Sequence, residues 1–191
     1  MELKGLKTNF LGRNIIYYET IDSTQLEILR QIEKKMPNGT IVISDIQTNG
    51  IGTHGRTWYT TEKNNIAFSF GIYANCKIGN LKGLTTEIAE IILETIKNLY
   101  NIELEIKFPN DIVYKNKKIG GILTQNKLSG ENVKYMVAGI GINTTQTKFP
   151  REIENIATSI KKEFGINVDR IKIITEFCNS FEKKIIERRI L

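Results

Sequence analysis

The chain has 191 residues, 40% hydrophobic and 25% charged, with a formal charge of +6 from 27 Lys+Arg against 21 Asp+Glu. That composition fits one globular domain that buries roughly 70% of its unfolded surface, and it excludes disordered and collagen-like chains. One histidine, His54, and two cysteines, Cys76 and Cys178, are too few for a Cys/His zinc cluster, so any nucleophilic triad would have to be built around His54.

Taken in chain order, residues 14–19 are β-prone. Thr24-x-x-Glu27 then offers a capping box for a helix carrying Leu26, Leu29, Ile32 and Met36 on one stripe, which Pro37-Asn38-Gly39 ends. Residues 40–44 read as a short buried strand, and residues 45–58 as a polar, glycine-rich loop. A second strand over residues 65–73 precedes an amphipathic helix over residues 84–100. The period then falls to two, and strands over 103–108, 112–115, 119–126 and 133–143, joined by hairpin-length turns, make an antiparallel meander. Helices over 156–164 and 169–189 follow, the second with Asp169 as N-cap. No repeat or linker divides the chain, which reads as a single α+β domain over residues 1–191.

The longest uncharged runs, residues 64–76 and 135–147, are well short of the roughly 18 residues a membrane span needs. The first ten residues lack the apolar block of a secretory signal, so a cytoplasmic location, no membrane contact and reduced cysteines are the expectation. Basic pairs such as Lys117-Lys118 and Lys183-Lys184 sit beside acidic residues and form no stripe for DNA.

Gly50-Ile51-Gly52-Thr53-His54-Gly55 satisfies a dinucleotide-binding pattern and, read to Thr57, nearly a P-loop. Both motifs need a helix directly after the glycines, whereas Thr57-Trp58-Tyr59-Thr60-Thr61 is β-prone. What remains is a loop whose amides can wrap an anion, with Arg56 as bidentate donor and Trp58 as a flat surface. Alternatively it is a surface loop with Trp58 in the core. Lys107, held at a strand end before Pro109-Asn110-Asp111, suits a phosphate or carboxylate clamp. Gly120-Gly121 and Gly139-Ile140-Gly141 leave room for a ligand or another backbone to approach.

Six segments in order resemble the biotin protein ligases: Asp22-Ser23-Thr24-Gln25; Gln47-Thr48-Asn49-Gly50 with Gly52; Gly55-Arg56-Thr57-Trp58; Lys107-Phe108-Pro109-Asn110-Asp111; Lys118-Ile119-Gly120-Gly121-Ile122-Leu123; and Gly139-Ile140-Gly141-Ile142-Asn143. The likeness runs over residues 17–177. It implies a mixed, largely antiparallel sheet with packed helices, in the biotin/lipoate ligase-like catalytic domain that is akin to class II aminoacyl-tRNA synthetases. It also implies a two-step reaction. Biotin attacks the α-phosphorus of ATP to give biotinyl-5′-AMP, with Mg²⁺, and a lysine of a biotin carboxyl carrier domain then takes the biotin.

By the same resemblance, Ser23, Thr24, Gln25, Gln47, Gly50, Gly52 and Gly121 would hold biotin. Lys107 would bridge its carboxylate and the α-phosphate, and Lys107 and Arg56 would supply charge. Gly55, Arg56, Trp58, Lys107, Asn110 and Asn143 would hold the nucleotide. Asp111 would orient the attacking lysine or simply stabilise its turn. No metal ligand is assigned. The family's loop usually carries arginines where this chain has Ile51 and Thr53, and often at His54, which implies weaker retention of the adenylate. An N-terminal DNA-binding domain and the small C-terminal β-barrel of relatives are not matched in these residues. Relatives dimerise through a sheet edge, so a homodimer is also an expectation. The alternatives are a lipoate or octanoate ligase or transferase and a non-catalytic biotin sensor.

Overall fold

The computed structural model describes residues 2–60 and 62–191; Met1, which begins the segment read for a signal, and Thr61, which ends the β-prone stretch after the glycines, lie outside the described residues. In chain order the elements are β1 (Ile15–Ile21), α1 (Thr24–Glu33), β2 (Ile41–Ile51), β3 (Thr57–Thr60), β4 (Ile66–Lys77), α2 (Leu84–Tyr100), β5 (Glu105–Lys107), β6 (Asp111–Tyr114), β7 (Lys117–Ser129), β8 (Asn132–Ile142), α3 (Ile160–Phe164) and α4 (Arg170–Glu187). The strands form one eight-stranded sheet in the order β1-β2-β4-β8-β7-β6-β5, with β3 paired to β2. Among the strands of the described residues only β1 and β2 pair in parallel, and the other strand pairs are antiparallel; an isolated parallel bridge joins Lys118 to Ala157.

Period-two alternation gives the sheet two unlike faces. Ile41, Ile43, Phe68, Phe70 and Ala138 point to the core beneath α2 and α4, where Phe68 meets Phe177 at 5.6 Å and Phe70 meets Phe181 at 5.3 Å between ring centroids. On the opposite face Val42 and Val137 pack with Ile28 of α1 and with Met36, which follows the helix rather than continuing its stripe. Beyond the start of α1 that face carries Ser69, Gly139, Gly141 and Gly121 instead of apolar side chains, and a cleft opens there.

The parallel β1–β2 pair explains why residues far apart in sequence meet. Ile21 is in register with Gln47, so the end of β1, the first turn of α1 and the polar half of β2 lie together.

Three expectations are corrected. Residues 45–58 are not one loop: β2 runs on through Ile51, a 3-10 turn spans Thr53–Gly55, and β3 returns. The polar side chains of β2 reflect their partners rather than a break in the strand. Asp45, buried, is paired with Arg170 at the start of α4 and accepts from Tyr17 Oη at 2.7 Å. Likewise Ser23, not Thr24, is the N-cap of α1, accepting weakly from Leu26 N at 3.5 Å. The helix expected from residue 156 begins at Ile160, where Ser159 caps it by accepting from Lys162 N at 3.1 Å.

Arg170→Met strips the buried Asp45 carboxylate of its countercharge and should lower unfolding free energy by about 3–5 kcal/mol in urea titration; a loss within 1 kcal/mol would remove this pair from the architecture. No helix among the described residues is long and apolar enough to cross a membrane.

Candidate functional site

Two adjoining cavities lie between the glycine-bearing face of β7 and β8 and the β2–β3 hairpin. The first, about 40 Å³, is lined by Ser23, Thr24 and Gln25 at the start of α1, Gln47 on β2, Ser69 on β4, and Gly121, Gly139 and Gly141. The second, about 130 Å³, is lined by Arg56, Thr57, Tyr59, Asn143, Gln146, Phe149, Ile153, Ile156 and Ala157. Trp58, Lys118, Gly52 and Thr53 line both.

The first cavity is a polar network. Gln47 Oε1 accepts from Thr24 N at 2.8 Å and from Thr24 Oγ1 at 3.1 Å, Thr24 Oγ1 and Ser69 Oγ are 2.9 Å apart, and Gln47 Nε2 donates to Thr60 Oγ1 at 3.2 Å. Gln25 Nε2 donates to Gln125 Oε1 at 2.9 Å, while the buried Gln25 Oε1 has no donor among the described residues. Such a network presents both donors and acceptors to an occupant. Gly139 has no room for a side chain, since a Cβ there would lie 2.5 Å from Gln25 Oε1.

At the rim, Asp22 pairs with Arg30, whose guanidinium holds the Asp22 carboxyl below its ordinary range. Burial pushes the neighbouring Glu27 carboxyl up, but hydrogen bonds from Gln31, Arg30 and Tyr18 outweigh it and hold Glu27 below its ordinary range. Both carboxylates stay charged at neutral pH, beside rather than inside the cavity.

Trp58 is half-buried and lies against β8 so closely that a Cβ on Gly141 would overlap its indole. The Lys118 ammonium sits 5.7 Å from the centre of that ring and 2.6 Å from Asp111 Oδ1. Asp111 is partly buried, at the start of β6 directly after the β5–β6 turn, and is in register with Gly121 of β7.

The structure therefore gathers Ser23, Thr24, Gln25, Gln47, Gly52 and Gly121 around the first cavity, and Arg56, Trp58 and Asn143 around the second. It does not bring Lys107 there. That residue is exposed on β5 and lines neither cavity, and the lysine between them is Lys118. Asn110 is a brace, with Nδ2 donating to Ile122 O at 3.1 Å. Gly50 and Gly55 also lie off the lining; Gly50 lets β3 approach, since a Cβ would overlap Trp58 O.

Arg56 is exposed and folds back on its own turn, donating to Thr53 Oγ1 at 3.0 Å. His54 is exposed, and with Thr53 and Ile51 it leaves Arg56 and Lys118 as the cations of the two linings. Sequence reasoning missed Lys118 and Gln146. The signal for Lys118 was its place three residues before Gly121, where a Cβ would come within 3.2 Å of the lysine's own Cε and Nζ.

Neither cysteine takes part: both are buried, burial pushes both thiols up, and a thiolate nucleophile is disfavoured. Among the described residues no group of three or more His, Cys, Asp or Glu could hold a metal ion.

Residues 17–143 match the Biotin/lipoate A/B protein ligase family. The bifunctional ligase/repressor BirA of Bacillus subtilis is 34% identical over 182 residues, covering 94% of this chain and 56% of that protein. The biotin–[acetyl-CoA-carboxylase] ligase of Mycobacterium tuberculosis is 29% identical over 157 residues, covering 80% of this chain and 56% of that protein. The chain thus spans just over half the length of these curated relatives. Among solved structures, the biotin protein ligase from Aquifex aeolicus in complex with biotin and ATP superposes with a TM-score of 0.70 at 29% identity, covering 92% of this chain and 70% of that one. With two thirds of its length matching the family and the same catalytic-domain fold around the two cavities, the chain belongs to the Biotin/lipoate A/B protein ligase family.

Proposed function

We propose that this chain is a biotin protein ligase that activates biotin with ATP and passes it to a lysine of a biotin carboxyl carrier domain. The observation that carries this reading is the single wall of Lys118 and Trp58 shared by a polar cavity and a more apolar one. A ureido head has one carbonyl and two N–H groups, which Thr24, Gln25, Gln47 and Ser69 can match in the first cavity. Adenine suits the second, between Trp58 and the apolar side chains. The reacting carboxylate and α-phosphate then fall at Lys118, where a fixed ammonium offsets the repulsion between two anions.

In this reading Lys118 takes the part that the sequence resemblance gave Lys107. Asp111, 2.6 Å from that ammonium, orients it and would be the carboxylate that receives the proton of the incoming lysine. Magnesium bound to the ATP phosphates would supply further positive charge there, and Asp111 is the carboxylate beside Lys118 that could help to hold it. A lipoate or octanoate chain has no ureido N–H to donate to the buried Gln25 Oε1 and would leave it without a partner. A biotin sensor would have no use for a lysine between two cavities.

Ile51, Thr53 and His54 give the β2–β3 hairpin less charge than arginines would. Each missing charged hydrogen bond weakens the hold on the adenylate by about 1–3 kcal/mol, so some activated biotin escapes before transfer. A cytoplasmic setting, without DNA, belongs to the same reading. The sheet ends in β1 and β5, whose outer edges pair with no strand among the described residues, and a homodimer would form by strand addition there.

One incubation with ATP and biotin tests the reading. Mass spectrometry should find one added biotin on a carrier domain and slower, scattered addition on an unrelated lysine-rich protein. An unmodified carrier despite biotin binding would favour the sensor, and label confined to the carrier would remove the leak.

A further inference from the structure

One buried polar group in the second cavity has no use in the chemistry above. Gln146 lines that cavity and is fully buried, and its Nε2 finds no acceptor among the described residues. Its orientation is set by its neighbour. Asn65 Oδ1 accepts from the backbone N–H groups of Thr144, Thr145 and Gln146 at 2.9, 3.1 and 3.3 Å, so the other end of Asn65 must be its Nδ2 donor. That donor meets Gln146 at 3.1 Å, which requires Oε1 at the point of contact and turns Nε2 away with both hydrogens unused. A buried donor in this state costs free energy unless an occupant of the cavity accepts from it.

Asn143, three residues earlier, supplies the opposite polarity. Its Nδ2 donates to Thr158 O at 3.1 Å, which leaves Oδ1 as the acceptor. Beside the cations Arg56 and Lys118, the cavity therefore offers one amide acceptor and one amide donor, each oriented by a bond at its other end, among Trp58, Phe149, Ile153, Ile156 and Ala157.

We propose that Gln146 reads the nucleobase, its Nε2 donating to a ring nitrogen of adenine while Asn143 Oδ1 accepts from the exocyclic amine. The inference rests on ATP being the nucleotide, as in the function proposed above, and names the residue that selects its base. Adenine suits this pair because its amine, a donor, is flanked by N1 and N7, both acceptors. A 6-oxopurine puts a carbonyl in place of the amine and faces Asn143 with acceptor against acceptor.

Trp58 is the sole tryptophan and lines both cavities, so its fluorescence follows nucleotide binding to the whole chain. Titration of the wild type with ATP, 1-deaza-ATP and 7-deaza-ATP should show one deaza analogue binding about tenfold more weakly than ATP. In Gln146→Met, which removes the donor and leaves Asn65 Nδ2 bonded to Glu62 O at 3.3 Å, ATP should weaken by about tenfold and the deaza penalty should vanish. A structural role would weaken ATP and its analogues equally, and a penalty that persists in the variant overturns the proposal. Should the variant not fold, the wild-type titration still decides, since two analogues that bind as ATP does overturn it. Biotinyl-adenylate formation, followed on the same wild-type samples, separates the two failures. No adenylate from ATP overturns the ligase reading, whereas adenylate formation with a penalty independent of residue 146 overturns only the role of Gln146.

Discussion

Replacing Lys118 by Ala is expected to slow biotinyl-adenylate formation by roughly two to three orders of magnitude, measured as pyrophosphate release, with the chain folded and biotin still bound. Two effects add. The ammonium lies on the wall common to both cavities, and a unit charge about 4 Å from a developing negative charge is worth about 4 kcal/mol at an effective dielectric of about 20. At about 1.4 kcal/mol per factor of ten, that alone is close to three powers of ten. Its removal also leaves Asp111, now 2.6 Å from Nζ, as an unneutralised carboxylate beside two anionic substrates. Lys107→Ala is the contrast. That side chain is exposed on β5 and off both linings, so its loss should cost less than about tenfold. Equal losses from the two variants, or a Lys118→Ala enzyme within tenfold of wild type, would overturn the placement of the reacting groups.

Gly141→Ala should weaken biotin binding by about ten- to a hundredfold in calorimetry while shifting unfolding free energy by less than about 1 kcal/mol. The strand geometry accepts alanine; the Trp58 indole does not, because the new methyl group would overlap the ring where it lies against β8. The ring must lift, and with it goes the surface that separates the two cavities and faces Lys118. The chain's stability is carried elsewhere, by the aromatic and aliphatic contacts of the other sheet face. Unchanged affinity in this variant would mean that the indole does not touch the ligand.

Much of the fold was legible. The apolar stripe of α2 matched its observed bounds, and the period-two alternation of the last four strands gave a meander whose turns fell where Gly130 and Asn116 adopt positive φ. The misreadings cluster at the site. Thr24 has a capping residue's chemistry but spends its hydroxyl on Gln47 and Ser69, and the cap passes to Ser23, one residue earlier. β2 looked like a loop after Ser44 because its polar side chains face a cavity and the Arg170 partner of Asp45, neither of which has local periodicity. The sequence singled out Lys107 rather than Lys118, the lysine that lines both cavities, because both are strand residues beside distinctive motifs. Only the pairing of Gly121 with Gly141, a matter of sheet register, shows which of them faces the cavities. Gln146 left no trace in pattern, since what singles it out is a hydrogen bond to a residue 81 positions away.

The bond between Gln25 and Gln125 spans 100 residues of sequence, and Thr24 meets Ser69 across 45. No contiguous fragment of the chain can therefore assemble the polar cavity, which comes into being only when the first helix, the central strands and the meander have closed on one another. Ligand affinity and global folding are consequently thermodynamically linked. A ligand that binds the native ensemble alone, as biotin would in the function proposed above, would at a hundred times its dissociation constant add about 2.7 kcal/mol to the unfolding free energy. The same long loops make early folding slow, because the entropy of closing them is lost before any contact at the cavity rewards it.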